Sequence, residues 1–168
     1  MVKIFVSIII YLVLIILQFI LPKYMPLNLW LFYPNFVLMF VIYLALNKGV
    51  MKGQVTGFIY GLTWDVLSTD IFGVRALSFT IAGYLAGNFN RKFNKNQPLT
   101  QIIVMGIGLI VTHFVINVVY MIMPLADTVY IPTFELSHLV MVNILINLIL
   151  APIVFEIFLF VDKKIGQI

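Results

Sequence analysis

Residues 53–68, GQVTGFIYGLTWDVLS, decide what kind of molecule this is. The stretch is apolar enough for lipid, yet glycine returns at every fourth position. Gly53, Gly57 and Gly61 keep one register, and that register ends four residues later on Asp65. Each four-residue step drifts about 40° around a helix of about 3.6 residues per turn, so the four positions trace one slanted stripe. Lipid tails give little hydrophobic drive between helices, and small residues four apart instead let backbones approach and gain van der Waals contact. AGYLAG supplies a second such stripe, Gly83 and Gly87 flanked by Ala82 and Ala86. Two small-residue faces in neighbouring spans are expected to pack against each other or against a common neighbour.

The rest of the chain agrees with a bilayer setting. It has 168 residues, of which 63% are hydrophobic and only 10% charged, and its mean hydropathy is +1.14. A soluble domain of that size needs far more surface charge, so the expected class is an all-α integral membrane protein. The apolar stretches are continuous and not alternating, which excludes a transmembrane β-barrel. Six spans are expected, at about 4–21, 30–46, 53–67, 74–89, 99–123 and 136–161, forming one compact membrane domain over 1–168. Pro34 near the start of the second span costs no helical hydrogen bond, and Pro152 is expected to kink the sixth. The third and fourth spans are short against the roughly 20 residues a hydrocarbon core of about 30 Å requires, and read as a tightly paired hairpin. The first span is longer than a signal-peptide core and LPKYMPLN offers no small-residue cleavage site, so its retention is expected.

Charge gives the orientation. With a cytoplasmic N-terminus, the inner segments hold Lys3, Lys48, Lys52, Arg91, Lys92, Lys95, Lys163 and Lys164, and the outer segments only Lys23 and Arg75. Eight against two is a positive-inside bias that puts both termini in the cytoplasm. The net charge of +4 therefore reports topology and headgroup contact, with no nucleic-acid partner.

Several polar residues fall within the apolar stretches. Asp65 lies about 20 Å along its helix from Lys52, where a carboxylate is costly unless paired, protonated or wetted. Arg75, ten residues on across WDVLSTDIFGVR, is its expected partner, in an ion pair or hydrogen-bonded bridge that pins the outer end of the hairpin; Asp70 competes for the same arginine. His113 and Asn117 share one face of the fifth span, and Asn143 and Asn147 repeat that spacing in the sixth. Such residues either hydrogen-bond across helices or line a central polar cavity. Glu156 lies close enough to the inner interface to reach water and is assigned no chemistry. No cysteine is present, and neither HExxH, GxSxG nor a P-loop occurs. His113 and His138 have no carboxylate at metal-ligand spacing, so no catalytic residue, metal or cofactor is expected.

The stretch from Pro34 to Arg91 resembles the MreD family of rod shape-determining proteins. A proline opens the second span, a G-x3-G-x3-D run leads into DVLS, and FGVRALS and a GYLAG-type span follow. The matching positions are Pro34, Gly57, Gly61, Asp65, Ser68, Gly73, Ala76, Leu77, Ser78, Gly83 and Tyr84. Asn35 and Thr69 stand where family members often carry Asp and Gly. The resemblance implies a fold similar to the substrate-binding components of energy-coupling-factor vitamin transporters. It also implies a non-enzymatic scaffold in the bacterial cytoplasmic membrane. The partners it implies are an MreC-type membrane protein and, through it, an MreB-type actin-like filament, a RodA-type glycosyltransferase and a penicillin-binding transpeptidase that build peptidoglycan. A vitamin-binding transporter component is the alternative. The first span, with Ser7 alone and no pair of small residues, lacks the docking feature such components usually carry.

Overall fold

The computed structural model describes residues 2–24, 34–68, 71–90, 94, 97–123 and 137–166, with side chains of the terminal helices from 8–20 and 141–164. The start of the expected second span (30–33), Asp70, the inner cluster Arg91, Lys92 and Lys95, and the side chains of Lys3, Lys23 and His138 lie outside the described residues.

Six helices follow in chain order: α1 (Val2–Tyr24), α2 (Phe36–Lys48), α3 (Val50–Leu67), α4 (Val74–Asn88), α5 (Pro98–Ile122) and α6 (Ser137–Gly166). No strand occurs among the described residues. Local chemistry sets the boundaries. Pro34 and Asn35 precede the helix they were expected to belong to, because a proline biases its neighbour away from helix and Asn35 makes an N-cap. The Asn35 side chain accepts from the Leu38 N–H at 3.1 Å. Gly49, at φ 89°, separates α2 from α3 in one residue, a conformation that a side chain would strain. Gly73, at φ 93°, plays the same part ahead of α4. Pro98 takes the first turn of α5, where its missing N–H has no helical partner to lose. α6 continues through Pro152.

α2 is the centre of the bundle. Every residue from Val37 to Leu46 is buried, so this stretch of the helix has no solvent or lipid face. The other five pack against it, and around it α3 meets α4, α4 meets α5, α5 meets α6 and α6 meets α1. α1 and α3 touch through rings: Tyr11 stacks on Tyr60 with centroids 3.9 Å apart, and Phe19 meets Trp64 at 5.2 Å.

The outside of this ring is greasy. Ile9, Val13 and Ile16 on α1, Phe58 and Ile59 on α3, Ile110 and Phe114 on α5, and Ile149 and Ile153 on α6 are all exposed. A soluble monomer rarely leaves so continuous an apolar surface to water. Hydroxyls on these helices turn back on their own backbone: Thr56 donates to the Lys52 carbonyl, Thr63 to Ile59 and Thr80 to Ala76, each at 2.6 Å. That is how a polar group is satisfied where no water can reach it. α5 and the Met141–Lys164 part of α6 are each long and apolar enough to cross a membrane.

The ends are also distinguishable. Tyr43 near the end of α2 donates to the Asp162 carboxylate near the end of α6 at 3.0 Å. The C-terminal ends of α2 and α6, and with them Lys48, Lys52, Lys163 and Lys164, therefore share one end of the bundle. Arg75, at the start of α4, lies at the other.

Candidate functional site

The two glycine stripes face each other. A Cβ on Gly53 would stand 2.5 Å from the Gly83 carbonyl oxygen, and one on Gly83 would run into the Gly53 carbonyl in return. Further along, Gly57 faces the Phe79 carbonyl, and a Cβ on Gly61 would lie 2.5 Å from both the Ala76 Cα and the Arg75 carbonyl oxygen. At the opposite end a Cβ on Gly87 would lie 2.5 Å from the Val50 Cα. The obstacles that α3 and α4 present to each other are backbone atoms, so they cannot swing aside as a side chain would. α3 and α4 thus form an antiparallel pair in backbone contact, and of the two arrangements open to the stripes this is mutual packing.

Asp65 continues that seam to its tip. It is buried, at 3% exposure, and its carboxylate meets the open end of α4. Gly73 donates its N–H to Oδ2 at 3.1 Å, Arg75 to Oδ1 at 3.0 Å and Ala76 to Oδ2 at 3.0 Å. The first N–H groups of a helix have no partner within it, and they carry the positive end of the helix dipole. Gly73, which has no side chain to cap α4, leaves this work to a residue on the neighbouring helix. The residue pair expected to bridge here, Asp65 and Arg75, does meet, but through the arginine's main chain. The guanidinium carbon lies 5.4 Å from the centre of the Trp64 ring, a cation–π distance. Trp64 in turn packs edge-on to Phe79.

A second polar cluster lies where α2 begins. Gln18 of α1 spans the entry to that helix, donating to the Pro34 carbonyl at 3.1 Å and accepting the Phe36 N–H at 2.9 Å. Asn147 of α6 accepts the Asn35 N–H at 2.7 Å. Its amide is held by Asn143, donating to that residue's backbone carbonyl at 2.8 Å and its side-chain oxygen at 3.0 Å. Gln18 and Asn147 are both buried. Side chains from the first and last helices therefore satisfy the buried start of the second.

His113 and Asn117 belong to neither cluster. The Asn117 amide donates to the His113 carbonyl one turn back, at 2.9 Å, and Arg75 lies within electrostatic reach of the imidazole. Among the described residues no group of three His, Cys, Asp or Glu gathers as a metal site would. Nothing in the sequence singled out Gln18, and Asn35 stood only as a departure from a family pattern. An Asn directly before a long apolar run is an N-cap signal that would have identified the latter. No such signal marks Gln18, whose partners are backbone groups sixteen and eighteen residues away.

A family model described as rod shape-determining protein MreD matches residues 1–161. No curated protein and no solved structure matches the chain.

Proposed function

The chain belongs to the MreD family of rod shape-determining proteins, and from that premise we propose that it works as a non-enzymatic scaffold of the bacterial cell-elongation machinery. The family is one of bacterial membrane proteins with a role in determining rod shape, and the two long apolar helices fit a membrane location. In this reading all six helices form one membrane domain, and both termini are cytoplasmic. The bundle end carrying Lys48, Lys52, Lys163 and Lys164 is the inner one, as the positive-inside bias requires. α4, with 15 residues, is about 22 Å long at 1.5 Å per residue. It shares its membrane passage with the longer α3 to which it is locked.

One observation supports a scaffold above the other readings. Three buried polar side chains in the bundle are engaged with its own backbone: Asp65 holds α4, and Gln18 and Asn147 hold α2. Groups so committed specify a rigid shape. Contact with neighbours then falls to the exposed apolar faces, on which an MreC-type membrane protein docks. That protein links the bundle to the MreB-type filament, the RodA-type glycosyltransferase and the penicillin-binding transpeptidase. A fold like that of energy-coupling-factor substrate-binding components, arranged around a buried α2, is part of the same proposal.

Purification in mild detergent followed by mass spectrometry tests it. The expected companions are an MreC-type protein and wall-synthesis enzymes. An ATP-driven transporter, or a stoichiometric vitamin retained by the pure protein, would overturn the scaffold reading.

A further inference from the structure

Glu156 is out of place. It lies on α6, seven residues before Lys163, which is about 10 Å of helix axis. It is exposed, as are Ile149, Ile153, Phe160 and Lys163. These five positions are spaced four, three, four and three residues apart, the period of a helix that packs lengthwise on another. The stripe is apolar apart from the carboxylate and the lysine that closes it.

Helix geometry aims this carboxylate along the apolar stripe. Side chains on a helix tilt toward its N-terminus, so Glu156 leans away from the Lys163 end and toward the middle of the bilayer. Of the two cations at the end of α6, the Lys164 ammonium sits over the Phe160 ring, 5.3 Å from its centre, and Lys163 lies about two turns of helix beyond Glu156. Glu156 makes no hydrogen bond or ion pair with any described residue. An intramembrane carboxylate facing lipid is costly and marks a place where a partner is expected.

We propose that the stripe Ile149–Ile153–Glu156–Phe160 is the seat of a transmembrane helix from a different protein, one that presents a lysine or arginine to Glu156 within two turns of its inner end. This deepens the scaffold reading and rests on it for the existence of a membrane partner. The apolar residues supply lengthwise packing. The charge fixes register and choice of partner, as a polar group in a coiled-coil seam does.

A photo-crosslinking amino acid placed at Ile153 of the full chain, in its native membrane, tests this, with Ile110 on α5 as the control face. The expected product is an adduct at Ile153 and not at Ile110, whose partner peptide is a transmembrane segment with a basic residue near its inner end. Glu156→Lys should lower the yield about tenfold, the scale of an intramembrane polar contact of 1–2 kcal/mol. Reversing the partner's cation to glutamate should restore it. Because Glu156 makes no hydrogen bond or ion pair with the described residues, Glu156→Lys should leave the melting of the isolated protein in detergent unchanged; a clear loss there would make its role internal and overturn the proposal. So would an adduct with a second copy of this chain, an adduct indifferent to Glu156→Lys, or labelling of lipid alone. A reciprocal charge rescue with a cation-bearing protein that is not MreC-type would uphold the stripe while removing the partner named above. Co-purification of an MreC-type protein with an unlabelled stripe would do the reverse.

Discussion

Gly61→Ala and Gly106→Ala make the same chemical change with opposite expected results. Replacing a helical glycine by alanine favours the helix by about 0.8–1 kcal/mol through backbone entropy. At Gly106 the new methyl would meet only the tip of the Leu148 side chain, at 3.4 Å. The entropy gain should dominate, leaving that variant as stable as the parent or slightly more so. At Gly61 the methyl would stand 2.5 Å from the Ala76 Cα and the Arg75 carbonyl oxygen and 2.6 Å from the Ala76 nitrogen. Relief requires α3 and α4 to part by roughly 0.5–1 Å, which forfeits a quarter to a half of the dispersion attraction across the seam. The same two residues donate their N–H groups to Asp65, so the separation also stretches the cap on α4. Overpacking alone costs about 1–3 kcal/mol. The net loss at Gly61 should therefore be about 1–3 kcal/mol, or a melting point roughly 3–10 °C lower for a chain of this size. Thermal unfolding in mild detergent, followed by size-exclusion of the folded fraction, measures both variants. Equal losses at the two sites, or no loss at Gly61, would refute the backbone-contact reading of the hairpin.

Other substitutions separate the remaining contacts. Asp65→Ala removes three acceptor contacts at a buried helix start and should cost about 2 kcal/mol or more. Arg75→Ala keeps its own backbone N–H on Asp65, loses the contact with Trp64, and should cost about 0.5–1 kcal/mol; comparable losses for the two would restore an ion pair as the main link. Gln18→Leu strands the Phe36 N–H in the bundle interior and should cost about 1–3 kcal/mol in the same assay, whereas an unchanged melt would mean that water replaces the amide. Single cysteines at Lys48 and Lys164, in a chain that has none of its own, should react with a membrane-impermeant thiol reagent from the same side, and one at Arg75 from the other. Labelling of Lys48 and Lys164 from opposite sides would break the proposed orientation.

The hairpin was legible because spacing alone encodes it: glycines four apart can serve little other than close approach. The mode of bridging at its tip was not. Charges are visible in a sequence, whereas the unsatisfied N–H groups at the start of α4 are not, so Arg75 drew attention as a cation when its amide is what Asp65 binds. The central place of α2 was hidden for a different reason. A helix of valine, leucine and phenylalanine reads alike whether its neighbours are lipid or protein, and only the contacts distinguish it from α5. Glu156 was legible as a residue but not as a misfit, since its exposure and the stripe around it exist only once α6 has packed.

The start of α2 depends on groups that are 112 residues apart in one case, Asn35 and Asn147. During synthesis the second helix emerges long before the sixth, and until then a backbone amide destined for the interior lacks its acceptor. A chain halted before α6 would keep that amide without its acceptor. The last helix to be made thus completes the start of the second.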